Sequence, residues 1–206
     1  ADAPHLRDRM TIATKGGIVL GLPYDSSPTY LRSAVEISLR RLQTDVIDLY
    51  QIHRPDFLGH PEEIAKVLTA LRDEGKIREV GVSNYSPSQF NALQAWLPFP
   101  IATHQPEFSC WRHDSLRDGI LDQCLEKRVT PLAWSPFAGG RLGLTIEDAR
   151  LQENGARLAA LLTELDGVAD AQNVTRAAVA LAWILAHPAG IIPIIGTQTI
   201  SRIRES

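Results

Sequence analysis

The sequence predicts an α/β fold of the (β/α)8 barrel type, on three observations. Strand patterns alternate with helix patterns along the whole chain, as in a parallel sheet covered by helices. The strand patterns are near-continuous apolar runs, as expected when both faces of a sheet are buried. Each run also ends in polar groups: Thr14-Lys15, His53, Ser83-Asn84, Gln105, Trp134-Ser135 and Gly196-Thr197. In a parallel sheet the carboxyl ends of all strands face one side, so these groups converge on one rim. In a barrel that rim is the active-site face.

The elements follow in order. Residues 9–15 read as a first strand. Ser27-Pro28 opens a helix to about Leu42, with Pro in its first turn and an apolar stripe of Leu31, Ala34, Val35, Ile37, Leu39 and Leu42. A strand at 46–53 precedes a helix from Pro61 through Leu71, stopped by Gly75. Residues 78–84 form a strand, and Ser86-Pro87 opens a helix to about Trp96. A short strand at 102–107 precedes a helix capped by Asp114 and running to about Arg128. The strand at 129–135 leads into a long polar loop with Gly139, Gly140 and Gly143, within which 158–165 reads as a helix. An apolar helix at 174–186, a strand at 191–196 and a helix opening at Ser201 complete the chain.

Six strand patterns are present where a closed barrel has eight, and such barrels typically take about 250 residues. The chain opens just before a strand and stops one turn into a helix. It therefore reads as one domain, 1–206, covering strands 3 to 8, with the first two βα units and the end of the last helix missing. No glycine-rich dinucleotide fingerprint follows the first strand, which argues against a Rossmann order.

At 206 residues the chain can bury a full core. A net charge of −3 provides no field for nucleic acid or an anionic membrane, and no apolar run is long enough to span a bilayer. Cys110 and Cys124 lack metal-ligand or disulfide spacing and read as reduced thiols of a cytoplasmic protein. No metal site is expected.

Five segments carry a resemblance. They are Ile12-Ala13-Thr14-Lys15-Gly16-Gly17, the run 45–56 containing Asp48-Leu49-Tyr50-Gln51-Ile52-His53-Arg54-Pro55, the run 75–85 ending Gly81-Val82-Ser83-Asn84-Tyr85, Trp134-Ser135-Pro136-Phe137-Ala138-Gly139-Gly140, and Pro193-Ile194-Ile195-Gly196-Thr197-Gln198. All five in this order resemble the aldo-keto reductase family, most closely its bacterial NADPH-dependent reductases and its channel-associated branch.

The resemblance implies hydride transfer from NADPH to an aldehyde or ketone, in an eight-stranded barrel without metal. It implies a Tyr proton donor adjusted by a Lys and an Asp, and a His that orients the carbonyl. Lys15 matches the Lys and His53 the His. The matching Asp and Tyr belong to the stretch before Ala1, and Tyr24, Tyr30, Tyr50 and Tyr85 do not sit in the family's Tyr motif. Chemically, an ammonium beside a phenol favours the phenolate, and an imidazole N–H can point at a carbonyl oxygen.

By the same resemblance, Ser83, Asn84 and Gln105 grip the nicotinamide carboxamide, whose donors and acceptor Asn and Gln complement. Trp134 stacks on the nicotinamide ring. Ser135, Pro136, Phe137, Gly139 and Arg141 close over the pyrophosphate, where small residues allow close backbone approach and Arg pairs with phosphate. Gly196, Thr197, Gln198, Arg202 and Glu205 hold the adenosine end. Arg202 would meet the 2′-phosphate that distinguishes NADPH from NADH. Two positions depart from the pattern: Gly196 stands where many members carry Lys, and Ser206 where Asn is common. Trp96 and Trp183 read as packing, and Trp111 as a lining of the substrate mouth.

Three functions are open: a working carbonyl reductase acting on a small molecule, an NADP-binding regulatory or sensor protein with little turnover, and a barrel of unrelated chemistry or a truncated barrel with no activity. His53 favours the first, since the channel-associated branch typically carries Asn there.

Overall fold

The computed structural model describes residues 4–19, 21 and 24–205. The chain divides into two compact units, Ala1–Gln105 and Pro106–Ser206.

The first unit contains a 3-10 turn (Pro4–Arg9) followed by β1 (Ala13–Gly16), α1 (Pro28–Leu42), β2 (Ile47–Ile52), α2 (Pro61–Asp73), β3 (Ile77–Ser83), α3 (Pro87–Gln94) and β4 (Thr103–Gln105). The strands pair in chain order and all in parallel, the arrangement the alternating pattern predicts. The first strand runs 13–16 where the sequence predicts 9–15: residue 9 ends the 3-10 turn, and 10–12 link that turn to the strand.

All three helices open with one device. A capping side chain takes a backbone N–H, and Pro follows at the first helical position, where its missing N–H costs nothing. Ser27 accepts from Tyr30, the His60 ring accepts from Glu62, and Ser86 with Gln89 forms a reciprocal capping box. Gly75, at φ +72°, turns the chain out of α2 in a conformation that side chains resist.

Every residue of β2 is buried, so the sheet is covered on both faces there. On the helix side Leu31, Val35 and Leu39 of α1 are buried, while Leu42 from the predicted stripe is exposed. At the amino ends of the strands, Asp48 is buried and takes Ile12 N–H at 2.8 Å, Arg7 at 3.0 Å and Arg78 at 2.7 Å. Burial pushes this carboxyl up, but that N–H and the two guanidinium groups hold it below the usual carboxylate range.

The second unit contains a 3-10 turn (Asp114–Leu116), α4 (Ile120–Lys127), β5 (Thr130–Ala133), a 3-10 segment (Ala138–Gly143), α5 (Ile146–Arg150), α6 (Gly155–Gln172), α7 (Arg176–Leu185), β6 (Ile192–Pro193) and α8 (Ile200–Glu205). β5 pairs in parallel with β6, and Trp134 bridges to Glu107. α7 serves two cores. Ala180 joins Leu142, Leu158 and Leu162, whereas Leu181 and Ile184 join Phe108, Leu121 and Ile191.

Several expectations are corrected in this unit. The helix predicted at 114–128 is broken at Gly119, which sits at φ +85°, and α4 begins only where Asp118 takes Ile120 N–H. The loop after Trp134 holds an extra helix, α5, capped by Thr145 through Asp148 N–H. The helix expected at 158–165 extends to 155–172. The last strand has two residues, so Gly196-Thr197 lies beyond it. Trp183 is 39% exposed, and Trp96, in the first unit, is 51% exposed. Trp183 stacks on Phe108 at 5.2 Å between ring centroids, and Trp96 meets His60 edge-on.

Both cysteines are buried and free. Burial pushes the Cys110 thiol up to about 11 and the Cys124 thiol up to about 12, so both are poor nucleophiles at neutral pH. Among the described residues no helix is long and apolar enough to cross a membrane.

His104 of β4 is fully buried, packs against the Phe90 ring, and has no well-formed hydrogen bond to either ring nitrogen. Burial pulls its pKa down to about 4, the Tyr85 backbone opposing by less. The unfolded state, titrating near 6.5, binds the proton first as pH falls. Stability should therefore drop between about 6.5 and about 4, by up to roughly 3 kcal/mol, and level off below. Denaturant titrations at several pH values should show this slope in the wild type and a flatter one in His104→Leu. Equal slopes would contradict the assignment.

Candidate active site

The register of the first unit sorts the predicted residues by face. Lys15 pairs with Gln51, Gln51 with Gly81, and Gly81 with Thr103. Side chains alternate along a strand, so these four positions share one face. Two residues further along, His53, Ser83 and Gln105 form a second row on that face. Ser83 is register-paired with Gln105, and His53 N–H reaches Gly16 O at 2.8 Å. The opposite face carries Tyr50, Ile52, Val80, Val82 and His104. Tyr50 and Tyr85 are buried with phenols pushed up by burial, which suits neither to proton donation.

In the first row Gln51 Nε2 donates to Thr103 Oγ1 at 3.4 Å, across Gly81. A methyl group at 81 would collide with Thr103 Oγ1 and crowd Gln51, so glycine is required there by close approach. In the second row the Gln105 backbone oxygen accepts both Ser83 Oγ–H at 2.9 Å and Asn84 N–H at 3.1 Å. Asn84 sits at φ +57°, and its Nδ2 donates to Ser83 Oγ at 2.8 Å and to His53 O at 3.4 Å. The ends of β2, β3 and β4 are thereby tied together. Gln105 Oε1 is buried with no partner among the described residues. A buried acceptor in this state costs roughly 1–3 kcal/mol, and an amide N–H from a ligand would satisfy it. That requirement fits a primary carboxamide.

Lys15 and His53 are half-buried. Burial lowers the Lys15 pKa. The His53 pKa is lowered by burial first, then by the charges of Lys15 and Arg54. His53 is therefore neutral at pH 7, able to donate from one ring nitrogen.

In the second unit Trp134 is half-buried, and its backbone N–H donates to Pro106 O at 3.0 Å. Ser135 (φ +52°), Ala138 (φ +54°), Gly139 (φ +64°) and Gly140 (φ +92°) are all left-handed. Pro136 is buried, Phe137 half-buried, and Arg141 exposed with Nη1 donating to Ala138 O at 3.2 Å.

A cavity of about 570 Å3 is lined by Phe137, Gly140, Gly143, Arg176, Thr197 and Arg202, among others. It brings together Phe137, Thr197 and Arg202 of the predicted set. Gly139, Arg141, Gly196 and Gln198 are not in its lining, and the side chain of Glu205 and all of Ser206 lie outside the described residues. Arg176 was not foreseen from sequence, where it reads only as the start of an apolar helix. Trp111 lies under the guanidinium of Arg157 at 4.4 Å.

A family model described as "Aldo/keto reductase family" matches residues 1–206. The chain is 50% identical over 205 residues to a 6-dehydroglucose reductase of Novosphingobium aromaticivorans, covering 100% of this chain and 65% of the relative. It is 40% identical over 213 residues to a 6-dehydroglucose reductase of Agrobacterium fabrum, covering 99% and 68%. Among solved structures, a glycerol dehydrogenase from Gluconobacter oxydans matches with TM-score 0.84 and 29% identity over 95% of this chain and 65% of that one. An aldo/keto reductase from Klebsiella pneumoniae in complex with NADP and acetate matches with TM-score 0.77 and 26% identity over 98% and 65%. The chain spans about two thirds of the length of these proteins.

The field between Lys15 and His53 is open to measurement. Replacing Lys15 with Met should raise the His53 pKa in an NMR titration while leaving it below 6.5, because burial is the larger cause. An unchanged His53 titration would show that the two side chains do not sense each other.

Proposed function

Because the chain belongs to the aldo/keto reductase family, we propose that it takes part in NADPH-dependent reduction of an aldehyde or ketone to an alcohol. The observation that carries this reading is the unpartnered buried Gln105 Oε1, in the same row of strand ends as His53 and paired in register with Ser83. Bound NADPH supplies the hydride.

The residues of the chain hold and polarise. Gln105 Oε1 accepts from the carboxamide. Ser83 and Asn84 commit their hydrogen bonds to the protein and fix Gln105 in place. His53, neutral, donates a ring N–H to the substrate carbonyl oxygen and orients it. Lys15 contributes positive charge where negative charge develops on that oxygen, and its half-buried position strengthens the effect. Trp134 is the proposed stacking surface for the nicotinamide. In the second unit Arg202 and Thr197 offer the phosphate contacts, with 135–141 as the pyrophosphate loop. Arg202 is the proposed selector of NADPH over NADH, in place of the family's Lys at Gly196.

We further propose an oxidised sugar as the substrate class. Support comes from two relatives, 50% and 40% identical, named 6-dehydroglucose reductases. A sensor role with little turnover is less well supported, since His53 supplies a donor suited to catalysis.

In the full-length protein, loss of NADPH absorbance should depend on a 6-dehydro sugar. His53→Ala should slow that turnover by about a hundredfold or more, with NADPH binding little changed. NADPH binding without turnover on any carbonyl would support the sensor reading instead. Loss of NADPH binding in His53→Ala would refute the role given to His53.

A further inference from the structure

Two arginines line the 570 Å3 cavity of the second unit, and they are held differently. Arg202 is exposed and, among the described residues, makes no ion pair, so it can meet an anion. Arg176 makes four hydrogen bonds. Its Nε and Nη2 grip the two oxygens of Asp166 at 2.6 Å each, and its Nη1 donates to Leu142 O at 3.0 Å and Leu144 O at 2.8 Å. One guanidinium thus ties α6, the end of the glycine-rich segment and the start of α7 together. A cation in the first turn of α7 opposes the helix dipole, and the Asp166 carboxylate offsets that cost.

The segment it ties needs an anchor. Ala138, Gly139 and Gly140 are three consecutive left-handed residues, and two of them are exposed glycines with wide conformational freedom. Their own side chains do not fix the path. Backbone bonds such as Gly140 N–H to Phe137 O hold the turns of the segment, and the bonds from Arg176 to the carbonyls of Leu142 and Leu144 tie its end to α6 and α7.

We propose that Arg176 and Asp166 form a clasp that holds residues 142–144 as a fixed wall of the cavity. The clasp sets how slowly a nucleotide phosphate held by Arg202 departs, an inference that rests on the NADPH reading above. Arg176 is a positioning residue here. Its donors point into the protein, and it acts on the ligand through the wall.

Two variants separate the clasp from simple charge. Arg176→Lys keeps the net charge but loses the planar fork that serves four acceptors. Asp166→Asn removes a negative charge, which by field alone would slow the release of a phosphate. The clasp predicts the opposite sign: both variants should release NADPH faster in stopped-flow displacement, Arg176→Lys by about tenfold, with association changed less. In the ligand-free protein, amide hydrogen exchange within 142–144 should rise in both.

Wild-type dissociation and exchange in folded variants would overturn the proposal, as would slower release from Asp166→Asn. If Arg176→Lys fails to fold, Asp166→Asn decides alone. Unfolding of both would make the pair a structural strut and overturn the positioning role. If the wild type binds no NADPH, the reading of function fails, while the exchange measurement still decides the clasp.

Discussion

In β1 to β4, Lys15 stands beside Gln51, Gln51 beside Gly81, and Gly81 beside Thr103. The side-chain period of a strand is two, so slipping any pairing by one residue would turn that strand's polar groups toward the helices. Lys15, His53, Ser83 and Gln105 share a face only because this register holds. The sequence enforces it from both sides. Apolar Ile52, Val80 and Val82 demand the covered face, and Asp48 pins the amino ends of the strands through Ile12, Arg7 and Arg78. Gly81 adds a steric condition, since the Gln51–Thr103 bond passes where its side chain would be.

The second row is almost, but not fully, satisfied by its own hydrogen bonds. Ser83 and Asn84 meet each other, the Gln105 backbone and the His53 carbonyl. What remains in this row is one buried oxygen, Gln105 Oε1, and, two strands away, a neutral imidazole whose basicity is lowered by burial and by Lys15. In the proposed reading, ligand recognition and carbonyl polarisation fall to different side chains of one row, each on a strand end tied by backbone bonds to its neighbour.

Much of the first unit is legible in the sequence because its signals are local. Ser27-Pro28, Pro61 and Ser86-Pro87 each write a helix start into one or two residues, and their place at the ends of apolar runs puts Lys15, His53, Ser83 and Gln105 on one rim. The second unit hides more. Asp118-Gly119 breaks an otherwise helical pattern with a left-handed turn, and Thr145 caps a helix too short for its periodicity to show. Arg176 reads as an ordinary helical charge. Its partners Asp166, Leu142 and Leu144 lie 10 to 34 residues away, a distance at which no sequence pattern connects them. The exposure of Trp96 and Trp183 is likewise tertiary, since aromatic residues at helical spacing look alike whether covered or not.

The central claim is that Gln105 Oε1 receives the amide N–H of the nicotinamide. It is tested most directly by comparing the affinity for NADP+ with that for an analogue whose carboxamide is replaced by a methyl ketone, in the wild type and in Gln105→Leu. The account predicts that the wild type prefers NADP+ by about tenfold and that Gln105→Leu loses the preference. A preference that persists undiminished in Gln105→Leu would contradict it.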